Sequence, residues 1–277
     1  MTRSALIRGG LVATAAALVF VLERRRRARR YREPWLRHTT RNLVVAGAAA
    51  ATVSLLETPF TIPFATLVEQ HGWGLTHLIG GPVWLRAIVA TLLLDYTLFL
   101  WHIGTHHVPL LWRFHLVHHV DLDLDVSTGV RFHAGELALS VPWRLAQIAV
   151  IGVSPGALAA WQSLTLASVL FHHSNTALPD RLERIIRLVL VTPRMHAIHH
   201  STNRAQRDRN FSSGFSIWDR LHRTLRIDAR AQDVEIGVVG YDDAEGVRLG
   251  RIAGLPFAFR QTTEDTATGG TEHTEIH

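Results

Sequence analysis

The chain has 277 residues, no cysteine and no lysine, and all 29 of its basic side chains are arginine against 23 acidic ones. The missing thiols exclude disulfides, thiolate zinc sites, thiolate-ligated haem and a fused cysteine-held iron–sulfur module. Hydrophobic residues make up 47% and come in long blocks with arginines beside them, which is the pattern of membrane topology rather than of nucleic-acid binding.

Residues 5–22 form the first apolar block. It reads as a transmembrane helix and not a signal peptide, because no small-residue cleavage site follows it. Glu23 and the run Arg24–Arg30 follow instead, which places its C-terminal end in the cytoplasm and makes 24–42 an arginine-rich cytoplasmic loop. A second span starts at Leu43 and crosses by about Phe60, with Glu57 near the far interface. Residues 61–82, punctuated by Pro63, Gly72, Gly74, Gly80, Gly81 and Pro82, read as loop and turns. A third span covers about 83–101. Asp95 lies in its inner half, and an acidic side chain within a span carries function by default. It sits two turns before His102 on the same helix face, placed to hydrogen-bond a ligand histidine.

The histidines begin where this span ends. His102 and His106 are spaced HxxxH; His115, His118 and His119 are spaced HxxHH; a second HxxHH follows at His196, His199 and His200. His133 and the pair His172–His173 lie between, so that twelve of the 18 histidines fall between 102 and 200. Residues three and four apart share a helix face, so each set can aim several imidazoles at one point. Neutral imidazole ligates zinc, iron, copper and nickel. The set exceeds one ion's coordination sphere, which implies two metals. Residues 120–136 are polar and expected in the cytoplasm. The blocks 137–153 and 156–171, parted by Ser154-Pro155-Gly156, read as a helical hairpin that returns His172 and His173 to the side of the first boxes. The segment 180–191 is amphipathic and suits a membrane surface. Beyond it the end of the chain is polar, small-residue rich and reads as disordered, and His273 and His277 need no role. The expected architecture is an all-α polytopic membrane helical bundle of about five spans, N-terminus outside, with a cytoplasmic histidine-rich catalytic cap. Its parts are an N-terminal membrane region (1–82), a domain holding the histidines (83–255) and the tail (256–277).

Several strings carry a resemblance: Asp95 with HIGTH (102–106), LWRFHLVHH (111–119), DLDVSTGVRFHAGE (123–136), HSN (173–175), TPRMHAIHH (192–200) and NFSSGFSIWDRLHRT (210–224). Over roughly 90–255 the chain resembles the fatty acid hydroxylase / sterol desaturase superfamily of integral-membrane di-iron enzymes. The resemblance implies iron ligation by His102, His106, His115, His118, His119, His173, His196, His199 and His200. It selects His173 over His172 because Ser174-Asn175 follows, which leaves His172 to cap a helix or contact a lipid headgroup. Asp95, His133, Glu136, Asn175, Asn203, Asn210 and Asp219 are candidates to orient ligands or substrate, with ordinary capping or packing as their other reading. The chain departs from the family pattern at Ile103, at Ala134 and at His222-Arg223-Thr224, where Phe-Gly-Thr is usual.

What the resemblance implies further is two iron ions, dioxygen as co-substrate, and hydroxylation or desaturation of a lipid within the membrane (fatty acyl, sterol, carotenoid or ether lipid). The site would face the cytoplasm from a bacterial inner membrane. With no cysteine and no flavin or nucleotide loop, two electrons would come from a separate ferredoxin- or cytochrome-like donor docking near Arg204, Arg207 and Arg209. The competing reading is a histidine-rich membrane metal-binding or transport protein without redox catalysis, whose ligands should lie at mid-membrane on broken helices.

Overall fold

The structure, a computed structural model, describes residues 3–241 and 247–258. Helix α1 (Arg3–Arg25) is the first apolar block, and Arg24 and Arg25 in its last turn suit the negative end of the helix dipole. Helix α2 (Trp35–Thr52) passes through a π-helical turn at Val53–Glu57 into α3 (Thr58–His71), which Gly72 closes in the left-handed region at φ 64°. The stretch 61–71, expected as loop, is therefore helix. Pro59 directly follows the π-helical turn, inside one continuous helical stretch. Ala65 and Val68 are fully buried against Ile148, Ile151 and Leu158, and that packing outweighs the break signal of Pro63. The same continuity moves Glu57 from an expected interface to the middle of a long helical stretch. There it is buried, 3.7 Å from Arg144, and accepts a hydrogen bond from Gln162 Nε2 at 3.2 Å. An acid inside a bundle takes such partners because lipid offers none.

A short α4 (Leu75–Leu78) precedes α5 (Val83–His107), which runs past Trp101 and carries the HxxxH box in its final turns. Helix α6 (Pro109–His119) follows at once, its proline at the first helical position. Helices α7 (Ala134–Ile151) and α8 (Pro155–His173) form the expected hairpin. Gly152 ends the first at φ 81°, and Ser154 caps the second by accepting from Ala157 N–H at 3.2 Å. The remaining helices are short: α9 (Asp180–Ile186), α10 (Pro193–His199), α11 (Arg204–Arg207), α12 (Ile217–Leu221) and α13 (Leu249–Ala258). The surface segment after 180 is helical only to Ile186, and Leu182, Ile185, Leu188 and Val189 face outward along it. Among the described residues there is no strand, only isolated bridges. Residues 256–258 form the last turn of α13, and the rest of the expected tail lies outside the described residues.

Among the described residues three stretches are long and apolar enough to cross a membrane: Ala5–Arg25, Trp35–Leu78 and Val83–His107. The bundle has two distinct ends. At one, Thr76 Oγ1 donates to Gly152 O at 2.6 Å, and Gly74 lies so close to Gly152 that a Cβ on either would overlap the other loop. At the other, the arginine segment meets the residues after α6 and α8: Arg29 N–H donates to Asn175 Oδ1 at 2.8 Å and Arg32 N–H to Asp123 Oδ1 at 2.9 Å. All the histidine boxes sit at this second end, because α5, α6 and α8 each finish there with a box in the last turn.

Candidate metal centre

The nine histidines assemble into two adjacent groups. His102, His106, His115, His119 and His199 form one; His118, His173, His196 and His200 form the other, with the ligand-capable atoms of each within 4.8 Å of one another. Helix geometry explains the division. In each HxxHH box the first and last histidines are four apart and lie on one face, so they serve one group, while the middle one, turned about 100° from its neighbour, serves the other. His119 and His200 stack across the boundary with ring centroids 4.3 Å apart.

Six rings are held from behind. His102 Nδ1 donates to Phe211 O (2.7 Å), His106 Nδ1 to Asp208 Oδ1 (3.3 Å), His115 Nδ1 to Glu136 Oε1 (2.8 Å), His118 Nδ1 to Arg131 O (3.2 Å), His173 Nδ1 to Val169 O (2.8 Å) and His199 Nδ1 to Arg209 O (2.8 Å). A proton spent on Nδ1 leaves Nε2 with a lone pair. The Nε2 atoms of His106, His115 and His199 are buried with no hydrogen-bond partner, as are both ring nitrogens of His119. In the second group His173 Nε2 lies 3.0 Å from His118 Nε2 and 2.9 Å from His196 Nε2. With both Nδ1 protons already donated, the His118 and His173 lone pairs face each other and repel unless a cation lies among them. Burial, and then the crowding of rings, pushes His118, His119, His196, His199 and His200 well below the usual imidazole range. Buried neutral imidazoles with anchored outer nitrogens fit metal ions.

Of the residues expected to orient ligands or substrate, Glu136 hydrogen-bonds a clustered histidine directly. Asp95 does not reach His102, as its spacing led us to expect. It accepts from Phe215 N–H (2.9 Å) and Trp218 Nε1 (2.7 Å), and Gly214 is pressed against it where a Cβ would overlap Oδ1. The loop after α11 fills the space beside α5 and takes up the carboxylate first. Asp219 acts at one remove, accepting from the backbone of Phe211 and Ser212 (2.8 and 3.1 Å), and Phe211 O in turn holds His102. His133 caps α7 by accepting from Gly135 N–H, and Asn203 caps α11 by accepting from Ala205 N–H. Asn175 clamps Arg29, and Asn210, at φ 54°, ties Met195 to Arg226. His172 neither caps α8 nor reaches the surface: it is buried with its ring 4.2 Å from that of His196 and lies outside both groups. Arg207 is buried over Trp112 and Arg204 pairs with Asp208, so of the three expected docking arginines Arg209 alone is exposed. Asp208 and the supporting carbonyls escaped sequence reading, since a backbone acceptor leaves no mark in a sequence.

The fold and site define a membrane-associated helical protein built to hold metal on imidazole. The fatty acid hydroxylase family model matches residues 87–224. An ornithine lipid hydroxylase of Rhizobium tropici is 27% identical over 160 residues, 57% of this chain and 47% of that protein. Alkylglycerol monooxygenase of Homo sapiens is 27% identical over 131 residues (47% and 28%), and cholesterol 25-hydroxylase of Mus musculus 26% over 142 residues (51% and 47%). The matches span less than half the length of each of these relatives. No solved structure matches the chain. The chain belongs to the fatty acid hydroxylase / sterol desaturase superfamily.

Proposed function

We propose that this protein is a membrane-bound di-iron oxygenase that hydroxylates a lipid, with the nine clustered histidines as its iron ligands. The observation that carries the reading is the division of those histidines into two neighbouring groups of converging ring nitrogens, with six of the nine rings anchored by an outer hydrogen bond. Two irons so held supply, with dioxygen and two electrons, the power to replace an unactivated C–H bond by C–OH, the second oxygen atom and two protons leaving as water. The chain's own groups keep the ligands neutral by burial, fix six of the nine rings by an outer hydrogen bond, and exclude water. Hydroxylation is preferred to desaturation because the relatives are named as hydroxylases and monooxygenases.

The site lies at helix ends and not at the middle of a span, which supports an enzyme over a transporter. Five membrane-crossing elements, α1, α2–α3, α5, α7 and α8, with the N-terminus outside, put every box on the arginine-rich cytoplasmic side. The meeting of the 72–82 and 152–154 turns at the opposite end supports that count. Reporter fusions after residues 35 and 125 should both read cytoplasmic. The electrons come from a separate acidic donor protein, drawn to the face that bears Arg209 and Arg223, so activity with donor should fall with salt.

The reading is tested by lipid profiling of cells with and without the protein, alongside metal analysis of the purified chain. A lipid gaining one oxygen, two irons per chain and no Soret band are expected. Unchanged lipids together with metal-free protein would sink it.

A further inference from the structure

Behind the two groups lies a buried polar network that metal ligation leaves unused. His38 Nε2 is 3.0 Å from Asp121 Oδ2, and its Nδ1 is 3.2 Å from Asp125 Oδ2. His38 Nε2 donates to Asp121 Oδ2, and the Asp125 carboxylate beside Nδ1 adds a second negative charge that favours the imidazolium. Arg41 reaches the other oxygen of Asp121 at 3.2 Å and also pairs with Glu33. Burial alone would raise the Asp121 carboxyl, but His38, Arg131 and Arg41 hold it well below the usual carboxylate range. Glu33, His38 and Asp121 stand close enough to hold an ion themselves. The guanidinium and imidazolium already supply the positive charge there, and a further cation would be repelled. The group is an ion-pair network and not a third metal site.

Its connections point to its task. Asp121 Oδ2 also accepts from Asn42 Nδ2 and Thr128 Oγ1, both at 2.8 Å. Asn42 Oδ1 accepts from Arg131 Nη1 at 2.7 Å, and Arg131 is wholly buried. Arg131 then grips the His118 turn twice: its Nε donates to Val117 O at 2.8 Å, and its carbonyl accepts from His118 Nδ1. The five-histidine group leans on Glu136, Asp208 and the carbonyls of Arg209 and Phe211 instead.

We infer that His38 and Asn42 are positioning residues for the four-histidine site, fixing the His118 ring through Asp121 and Arg131. The first turns of α2, outside the stretch matched by the family model, are thereby part of the metal-holding apparatus. The inference rests on the metal-binding reading above.

The experiment loads the purified full chain in detergent with cobalt(II), then records metal per chain and the visible ligand-field bands. His118→Ala and His115→Ala identify the bands of the four- and five-histidine sites. His38→Gln should then lose the band that His118→Ala loses, with cobalt affinity for that site down about tenfold or more, and keep the band that His115→Ala loses. Asn42→Ala, a milder change that removes the contacts to Arg131 and Asp121, is read the same way if His38→Gln does not fold. Wild-type spectra and two cobalt ions in the variants, or equal weakening of both bands, would overturn the inference. A wild-type chain that binds no cobalt would instead overturn the metal-binding reading itself.

Discussion

Glu136 and His172 show how little separates a residue that serves a ligand from one that packs beside it. Glu136 Oε1 accepts from His115 Nδ1 at 2.8 Å in a buried setting. Glu136→Ala should leave that ring free to turn and lower metal affinity about 10- to 100-fold, whereas Glu136→Gln keeps an oxygen acceptor and should lose less. Titration of the metal-free protein with cobalt(II) measures both. His173 Nε2 points among the second group while His172 lies against the His196 ring. Adjacent residues on a helix diverge by about 100°, so the two do not reach the same metal, and His172 lies outside both groups. His173→Ala should lose activity and bound iron; His172→Ala should keep the iron and lose at most about tenfold in activity, as a supporting contact does. The reverse pattern would show that the helix register is misjudged.

The turn that follows α12 is where this chain differs most visibly from its family's usual pattern. Arg223 takes φ 58°, in the left-handed region that favours glycine, and glycine is the residue the family resemblance leads one to expect. The turn must close there because Thr224 and Leu225 both donate backbone N–H bonds to Asp219 O, at 2.8 and 3.1 Å. The arginine holds the geometry at a cost of about 1 kcal/mol. Arg223→Gly should accordingly raise the melting temperature by about 2 °C in detergent, with metal content unchanged. A lower melting temperature would mean that the arginine side chain contributes more than its backbone costs.

For the molecule as a whole, the buried histidines couple stability to pH. Burial, and then their neighbours' charge, lowers His118, His119, His196, His199 and His200 well below the usual value of 6.5. The unfolded chain therefore takes up protons more readily than the folded one. Stability contributed by neutral rings is present above the usual value and lost as pH falls below it. The metal-free protein should melt progressively lower between about pH 7 and about pH 5, and bound metal should raise the melting temperature most at the upper end, where protons compete least. A melting temperature flat across that range would mean that water reaches these rings.

The sequence by itself determined the helical membrane character, the apolar hairpin and the identity of the nine clustered histidines. The first two rest on composition and local periodicity; the histidine boxes stand out by spacings within one helix, where three and four residues share a face, and the family resemblance completed the set by choosing His173 over His172. Helix spacing parts the middle histidine of each HxxHH box from the other two, but only the tertiary structure decided which boxes meet in one group. His118 and His119 are neighbours in the chain and belong to different groups because their facing elements differ. Tertiary packing also carried α3 through Pro63, drew Asp95 away from His102 to the loop at Phe215, and brought His38 on α2 behind His118. None of these can be read from spacing. A carboxylate buried in a span bonds to whichever donor the fold brings nearest, and that donor here lies more than a hundred residues away in the chain.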